Sequence, residues 1–348
     1  MEPSLKKTFA AARSRLPAEE QALFASFAEC YFPAIPKRYR GFLDGDDLTE
    51  FLLGRWQFIK PPLQGWCDVR VYNPVGSQES WNVNITVLEA RLADRPFIVD
   101  SLKELLRVRG LEIQMTIHPV LVVERDDGGA VRSIASGKSS GSREAFVYLH
   151  FDHIESPSDQ ENLQQATCDV LQMVCAAVDG YSHAQVAVRQ VADGLMERPE
   201  LYPGGRSTQE QKRDFFLWLL DGNFTFLAVR RLVRKGEEFV TEHGSEWGLF
   251  SKDRTPPGFV QRLDDELAAT FQAALAREFT LTVTRIDLHS PVHRLLGAPG
   301  EAQPHPPRPR QDCGGSEDPR IPGKLVLLQD GVLDPDDAPQ GSALQLHQ

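Results

Sequence analysis

Between Trp81 and Arg125 the chain carries two long runs of β-branched and aliphatic residues around one amphipathic helix. Trp81, Val83, Ile85 and Val87 are interleaved with the polar residues Asn82, Asn84, Thr86 and Glu89. This period of two predicts a strand over 81–92. Asp94-Arg95-Pro96 breaks it. Phe97, Ile98, Leu102, Leu105 and Leu106 then recur at helical spacing, which predicts a helix over 97–109 that Gly110 stops. Leu111 to Arg125, rich in Ile and Val, predicts a second long strand. The order strand, helix, strand limits the fold sharply, because the helix must lay its apolar stripe on the sheet its flanking strands build.

The neighbouring segments extend that sheet. Cys67 to Tyr72 alternates and ends at Asn73-Pro74, a strand and a turn. Asp126-Asp127-Gly128-Gly129 is a hairpin signal, followed by a weak strand over 131–134. Ala145 to Ile154 reads as a further strand and Ser158 to Ala177 as a helix. Strand, strand, helix, strand, strand, strand, helix describes an α+β domain over 66–197. Its plan is ferredoxin-like, an antiparallel sheet with helices on one face.

Before it, 4–31 and 46–58 read as helices, a small helical segment over 1–64, with Trp56, Phe58 and Trp66 expected in cores or staples. After it, 208–296 reads as a second α+β unit. Helices are expected over 210–220 and 257–277, and strands over 224–230, 238–242 and 279–286. Nine of the 24 prolines follow residue 296. We expect 297–348 to be a disordered tail, with Lys324 to Val332 a lone strand lacking a partner.

Charge and motifs narrow the function. Thirty-eight Lys and Arg against 49 Asp and Glu leave a net charge of -11. That balance speaks against a nucleic-acid partner and against docking on an anionic membrane. No run of apolar residues approaches spanning length, and the N-terminus lacks a signal-peptide core. Five scattered cysteines without a C-x-x-C suit a reducing, cytoplasmic setting. Cys168 and Cys175, seven apart on a helix, share a face. Buried core thiols are the plain reading and a redox or metal role the other.

Gly137-Lys138-Ser139-Ser140 lacks the earlier glycine of a phosphate loop, and no dinucleotide fingerprint is present. His150 and His153 point to opposite faces of a strand. His289 and His293 have no further ligand at metal spacing. His118 reads as a structural histidine in a strand. Asp100, in the first turn of its helix, either complements the helix dipole or contacts a ligand.

Residues 94–101, Asp-Arg-Pro-Phe-Ile-Val-Asp-Ser, resemble the first ACT-like domain of the large bacterial NAD-specific glutamate dehydrogenases. Ile117-His118-Pro119 follows, then Trp218-Leu219 with Asn223-Phe224-Thr225-Phe226-Leu227 and Arg230, then Ser290-Pro291-Val292-His293-Arg294, all in the family's order. Arg95 stands where the family usually has Met, Arg143-Glu144-Ala145-Phe146 lacks the family's tryptophan, and Ala228 replaces a glycine.

The resemblance spans about residues 66–294. It implies an ACT-like domain in a regulatory and oligomerisation region, truncated before the catalytic domain. It implies no catalytic residue, no metal and no cofactor in this chain, NAD belonging to the full-length family. The partners it implies are an amino-acid effector and either further copies or a catalytic dehydrogenase chain. Its effector site would comprise Asp94, Arg95, Pro96, Phe97, Asp100 and Ser101. There the helix amides and Arg95 would take a carboxylate. An independent amino-acid-binding module and an enzyme with an unrecognised site are the alternatives.

Overall fold

The computed structural model describes residues 3–40, 45–74, 84–137, 141–197, 206–235, 238–264, 281–286 and 325–332. The chain divides into two units, 1–171 and 172–348.

The first unit is built on a six-stranded, wholly antiparallel sheet. Its strands are β1 (Cys67–Tyr72), β2 (Ile85–Ala93), β3 (Ile113–Ile117), β4 (Val120–Arg125), β5 (Val131–Ala135) and β6 (Ser142–Asp152). They lie in the order β1-β2-β6-β4-β5, with β3 also on β6. Helix α5 (Ile98–Val108) connects β2 to β3, and α6 (Pro157–Glu197) follows β6. This is the α+β plan, an antiparallel sheet with helices, expected from the strand and helix order.

The long strand expected over 111–125 is two strands, interrupted at His118-Pro119. Proline has no N–H for the ladder, so pairing lapses there. The Pro119 carbonyl instead accepts from the Phe146 amide at 3.0 Å. The hairpin at 126–129 forms as read. Asp126 Oδ1 accepts from the Gly128 and Ala130 amides, and Gly129 takes φ +80°. Residues 81–83, at the start of the expected β2, lie outside the described residues.

The N-terminal helices are α1 (Pro3–Ser14), α2 (Gln21–Tyr31), α3 (Lys37–Arg40) and α4 (Gly45–Ile59). The single helix expected over 4–31 is thus two, separated by a turn in which the Glu20 amide donates to Pro17. A proline inside a helical pattern removes one ladder donor and crowds the preceding turn.

The segment expected as a separate helical piece shares one core with the sheet. Phe24, Phe27, Tyr31, Phe51 and Trp56 are buried together with Ile85, Val87, Met115, Ile117 and Tyr148. Phe51 meets Tyr148 edge-on at 5.3 Å between ring centres. Burying each such ring is worth roughly 2–3 kcal/mol. Of the three aromatics expected inside, Trp56 is fully buried, and Phe58 lies under the Arg70 guanidinium at 4.6 Å. Trp66 is 45% exposed, a correction: it precedes β1 at the rim of the domain.

Helices therefore cover the face carrying Ile85 and Val87, and this decides the polar residues of β2. Glu89 and Arg91 share that face by the two-residue period, and both are buried. Arg55 from α4 meets Glu89, whose other oxygen takes Arg70 and the Tyr72 hydroxyl. Arg91 pairs with Asp68 and also donates to the Ile59, Pro61 and Pro62 carbonyls. Arg125 pairs with Glu144 at 2.7 Å and reaches the Ile59 carbonyl at 3.1 Å. Two sheet arginines thus satisfy carbonyls at the C-terminal end of α4, which the helix itself leaves unpaired.

Helix α6 runs 41 residues, past the end expected near Ala177, and the boundary between the units falls within it. In the second unit, α7 (Arg206–Trp218) leads through a kinked turn at Leu219–Asn223 into β7 (Thr225–Lys235). Beside β7 lie β8 (Glu238–Thr241) and the two-residue β9 (Trp247–Gly248). Strands β10 (Leu281–Ile286) and β11 (Leu325–Val332) complete this sheet.

β11 corrects the expectation of a strand without a partner. It lies between β7, to which it runs parallel, and β10, to which it runs antiparallel. Local pattern shows a strand, but a partner about a hundred residues away leaves no local trace. The remainder of the expected tail, 297–324 and 333–348, lies outside the described residues. So does the expected helix beyond residue 264, and so do His289, Ser290, Pro291, Val292, His293 and Arg294.

Candidate functional site

The site implied at 94–101 is the turn from the end of β2 into α5. Ala93 ends its pairing opposite Glu144, and the Asp94 amide continues the line by donating to the Arg143 carbonyl at 2.9 Å. Arg143 answers with its side chain: Nε and Nη2 donate to Asp94 Oδ2 at 3.1 and 3.0 Å. Arg143 is 60% exposed, so this pair orients groups more than it stabilises the fold.

Phe97 takes φ +70° as the residue preceding α5, the one non-glycine residue with positive φ among those described. It is 54% exposed. A side chain in the left-handed region costs about 1–2 kcal/mol. The left-handed step turns the chain abruptly from strand to helix. The Ser101 amide then closes the first helical bond onto the Phe97 carbonyl at 3.0 Å. The amides just before it are the ones a helix start leaves for an outside acceptor.

Pro96 and Asp100 are exposed, and Ser101 is half-buried. The Arg95 guanidinium folds over its own turn, with Nη1 3.4 Å from the Ala93 carbonyl.

His118, read as structural from sequence, adjoins this turn. Burial pulls its pKa below the ordinary value, Asp94 and Asp100 oppose that, and Lys103 of α5 adds to it. Its Nε2 is buried without a hydrogen-bond partner. The structure thus groups Asp94 with Arg143 and, within electrostatic reach, with Asp100 and His118. Arg143 was missed as a site residue. The sole signal for it was the Arg143-Glu144-Ala145-Phe146 run, which matters only once β6 is known to lie beside β2.

The same turn is where a dinucleotide's pyrophosphate would rest in a nucleotide-binding βα unit. That role needs glycines for close backbone approach, and Asp94-Arg95-Pro96-Phe97 has none. These residues do not fit NAD there. No group of three or more metal-ligating side chains occurs among the described residues. No helix among them is long and apolar enough to cross a membrane.

The second unit holds a separate cavity of about 390 Å³ between α6 and the β7–β9 strands. Its wall includes the His183 and Trp247 rings, stacked 3.5 Å apart and 8° from parallel. Arg231 lines it too, 3.3 Å from both Glu242 and Gln190, so its guanidinium is already committed to protein acceptors.

Residues 27–167 match the family model described as the ACT1 domain of glutamate dehydrogenase. The match opens inside α2 and closes inside α6, so it takes in helices of the shared core as well as the sheet. The NAD-specific glutamate dehydrogenase of Halomonas elongata is 26% identical over 291 residues, 81% of this chain and 18% of that protein. The enzyme of that name from Pseudomonas aeruginosa is 29% identical over 210 residues, 60% of this chain and 12% of that protein. The chain thus spans less than a fifth of the length of these relatives.

Proposed function

We propose that the chain, whose residues 27–167 match the ACT1 domain model of glutamate dehydrogenase, is a regulatory and assembly region rather than a catalytic one. In this reading it binds an amino-acid effector at the β2–α5 turn and transmits occupancy to a glutamate dehydrogenase catalytic region, its own or a partner's.

The supporting observation is the grouping at that turn. The α5 start offers backbone amides to a carboxylate. Arg95 and Arg143 flank it with guanidinium groups, and Asp94 and Asp100 supply acceptors for an ammonium group. An α-amino acid carries that pair of charges on adjacent atoms. Binding would replace the 3.4 Å contact of Arg95 with the Ala93 carbonyl.

The test is isothermal titration of the purified chain with glutamate, aspartate and the other common amino acids. Heat of binding is expected for at least one, and Arg95→Ala should abolish it. Absence of heat for all of them overturns the effector assignment. A companion assay of glutamate-dependent NAD reduction should show no turnover by the chain alone, and measurable turnover would overturn the non-catalytic reading.

A further inference from the structure

Cys67 opens β1, the edge strand of the first sheet, and Cys168 lies on α6. The Cys67 thiol lies within hydrogen-bonding reach of the Cys168 sulfur. Both residues are half-buried and neither is in a disulfide.

A second contact joins the same strand and helix. The Val71 amide, on the outer edge of β1, donates to Gln164 Oε1 on α6 at 3.1 Å. Gln164 and Cys168 are four apart and share one face of the helix, as Cys67 and Val71 share one side of the strand. The start of β1 is also anchored. Asp68, next to Cys67, is paired with buried Arg91 and accepts from the Gln64 amide at 3.0 Å.

We propose that Cys67 and Cys168 form a reversible dithiol–disulfide pair, a modification site at which hydroperoxides oxidise the domain and staple β1 to α6.

Cys168 is the attacking sulfur. Its hydrogen bond from Cys67 favours the thiolate and lowers its pKa, against burial and the neighbouring Asp169. The Cys168 thiolate attacks one peroxide oxygen. An S–O bond forms, the O–O bond breaks, and the departing hydroxide takes a proton to become water. Cys168 is then a sulfenic acid, oxidised by two electrons, and the peroxide is reduced. The Cys67 sulfur attacks it next. The S–S bond forms, the S–O bond breaks, and the hydroxide leaves with the Cys67 proton as a second water. A dithiol reductant reverses the sequence by thiol–disulfide exchange.

Cys30 serves as an internal control in the same unit. Burial pushes its thiol up from the ordinary value, so it is held protonated and slow to react.

The experiment uses the full chain, fully reduced, then treated with stoichiometric hydrogen peroxide. It is quenched with a thiol-alkylating reagent and mapped by non-reducing peptide mass spectrometry. A peptide pair linking Cys67 to Cys168 is expected, lost on adding dithiothreitol, while Cys30 stays alkylated. At neutral pH, before oxidation, Cys168 should alkylate faster than Cys30. In Cys67→Ser the sulfenic acid on Cys168 should persist and be captured by dimedone. Cys168 alkylating no faster than Cys30, or the absence of the linked pair after peroxide, overturns the proposal. Neither result touches the amino-acid titration, so the effector reading is judged separately.

Discussion

Arg55 Nε and Glu89 Oε1 lie 2.7 Å apart with both side chains only 2% exposed, an ion pair that joins the N-terminal helices to the middle of the sheet. Around it the Arg55 guanidinium rests over the Tyr148 ring at 4.5 Å and over Phe51 at 4.8 Å, and its Nη2 donates to the Tyr72 hydroxyl at 2.7 Å. Removing one partner strands the other charge in a dry interior. Glu89→Gln should therefore cost about 3–5 kcal/mol of stability. Arg55→Met combined with Glu89→Leu should recover most of that, since an apolar pair of similar volume carries no desolvation penalty. Urea unfolding of the two variants decides it. A Glu89→Gln loss below about 1 kcal/mol would show that water reaches the pair.

Glu89 also shows what the sequence can and cannot display. The alternation of β2 was plain, and with it the strand and the α+β order. Alternation shows that a strand has two faces, however, not that both are covered. Glu89 was read among the polar positions, yet it shares a face with Ile85 and Val87, which α4 closes over. Arg55 gave no warning, because an arginine in a helix ordinarily faces solvent. The candidate turn was legible through Asp94 to Ser101, which lie together in the chain. Arg143 was not, since it comes from a strand 49 residues on and meets Asp94 only through the β2–β6 pairing. Long-range pairing hid β11 in the same way.

Phe97 holds a left-handed conformation while exposing most of its ring, so it stores strain with little packing in return. Phe97→Gly should leave the melting temperature unchanged or raise it, as relief of strain offsets the extra freedom of the unfolded chain. Phe97→Val should lower stability, because a β-branched side chain tolerates positive φ worst. We expect a gap of about 1–2 kcal/mol between the two variants. Equal stability of the glycine and valine variants would contradict the strain.

In the second unit Gly180 of α6 lies directly against the backbone of Gly248 in β9. A Cβ at position 180 would overlap the Gly248 nitrogen and Cα, which no rotamer change can relieve. Gly248 is fixed in turn by its φ of +66° and by the Leu227 carbonyl beside it. Gly180→Ala gains helix propensity but should still destabilise the unit by about 1–3 kcal/mol. The His183–Trp247 stack is the local reporter, and tryptophan fluorescence should shift in the variant. An alanine variant as stable as the parent would show that the two backbones can separate freely.

His150 gives the fold a pH dependence of known sign. It is buried, packed edge-on against Tyr39 at 5.9 Å and Tyr148 at 6.3 Å. Burial first, and the Arg38 charge second, push its pKa from 6.5 down to about 4. The folded value lies below the unfolded one, so above pH 6.5 both states hold a neutral ring and the group adds no pH dependence. Between pH 6.5 and about 4 the unfolded chain binds a proton that the folded chain refuses, and stability falls. The full loss amounts to roughly 3 kcal/mol, reached once the pH has passed below the folded value. His150→Phe keeps an aromatic ring against the two tyrosines and removes the titration. Urea midpoints measured from pH 7.5 to 4.5 should fall more steeply for the parent than for this variant. Parallel pH profiles would place His150 in contact with water.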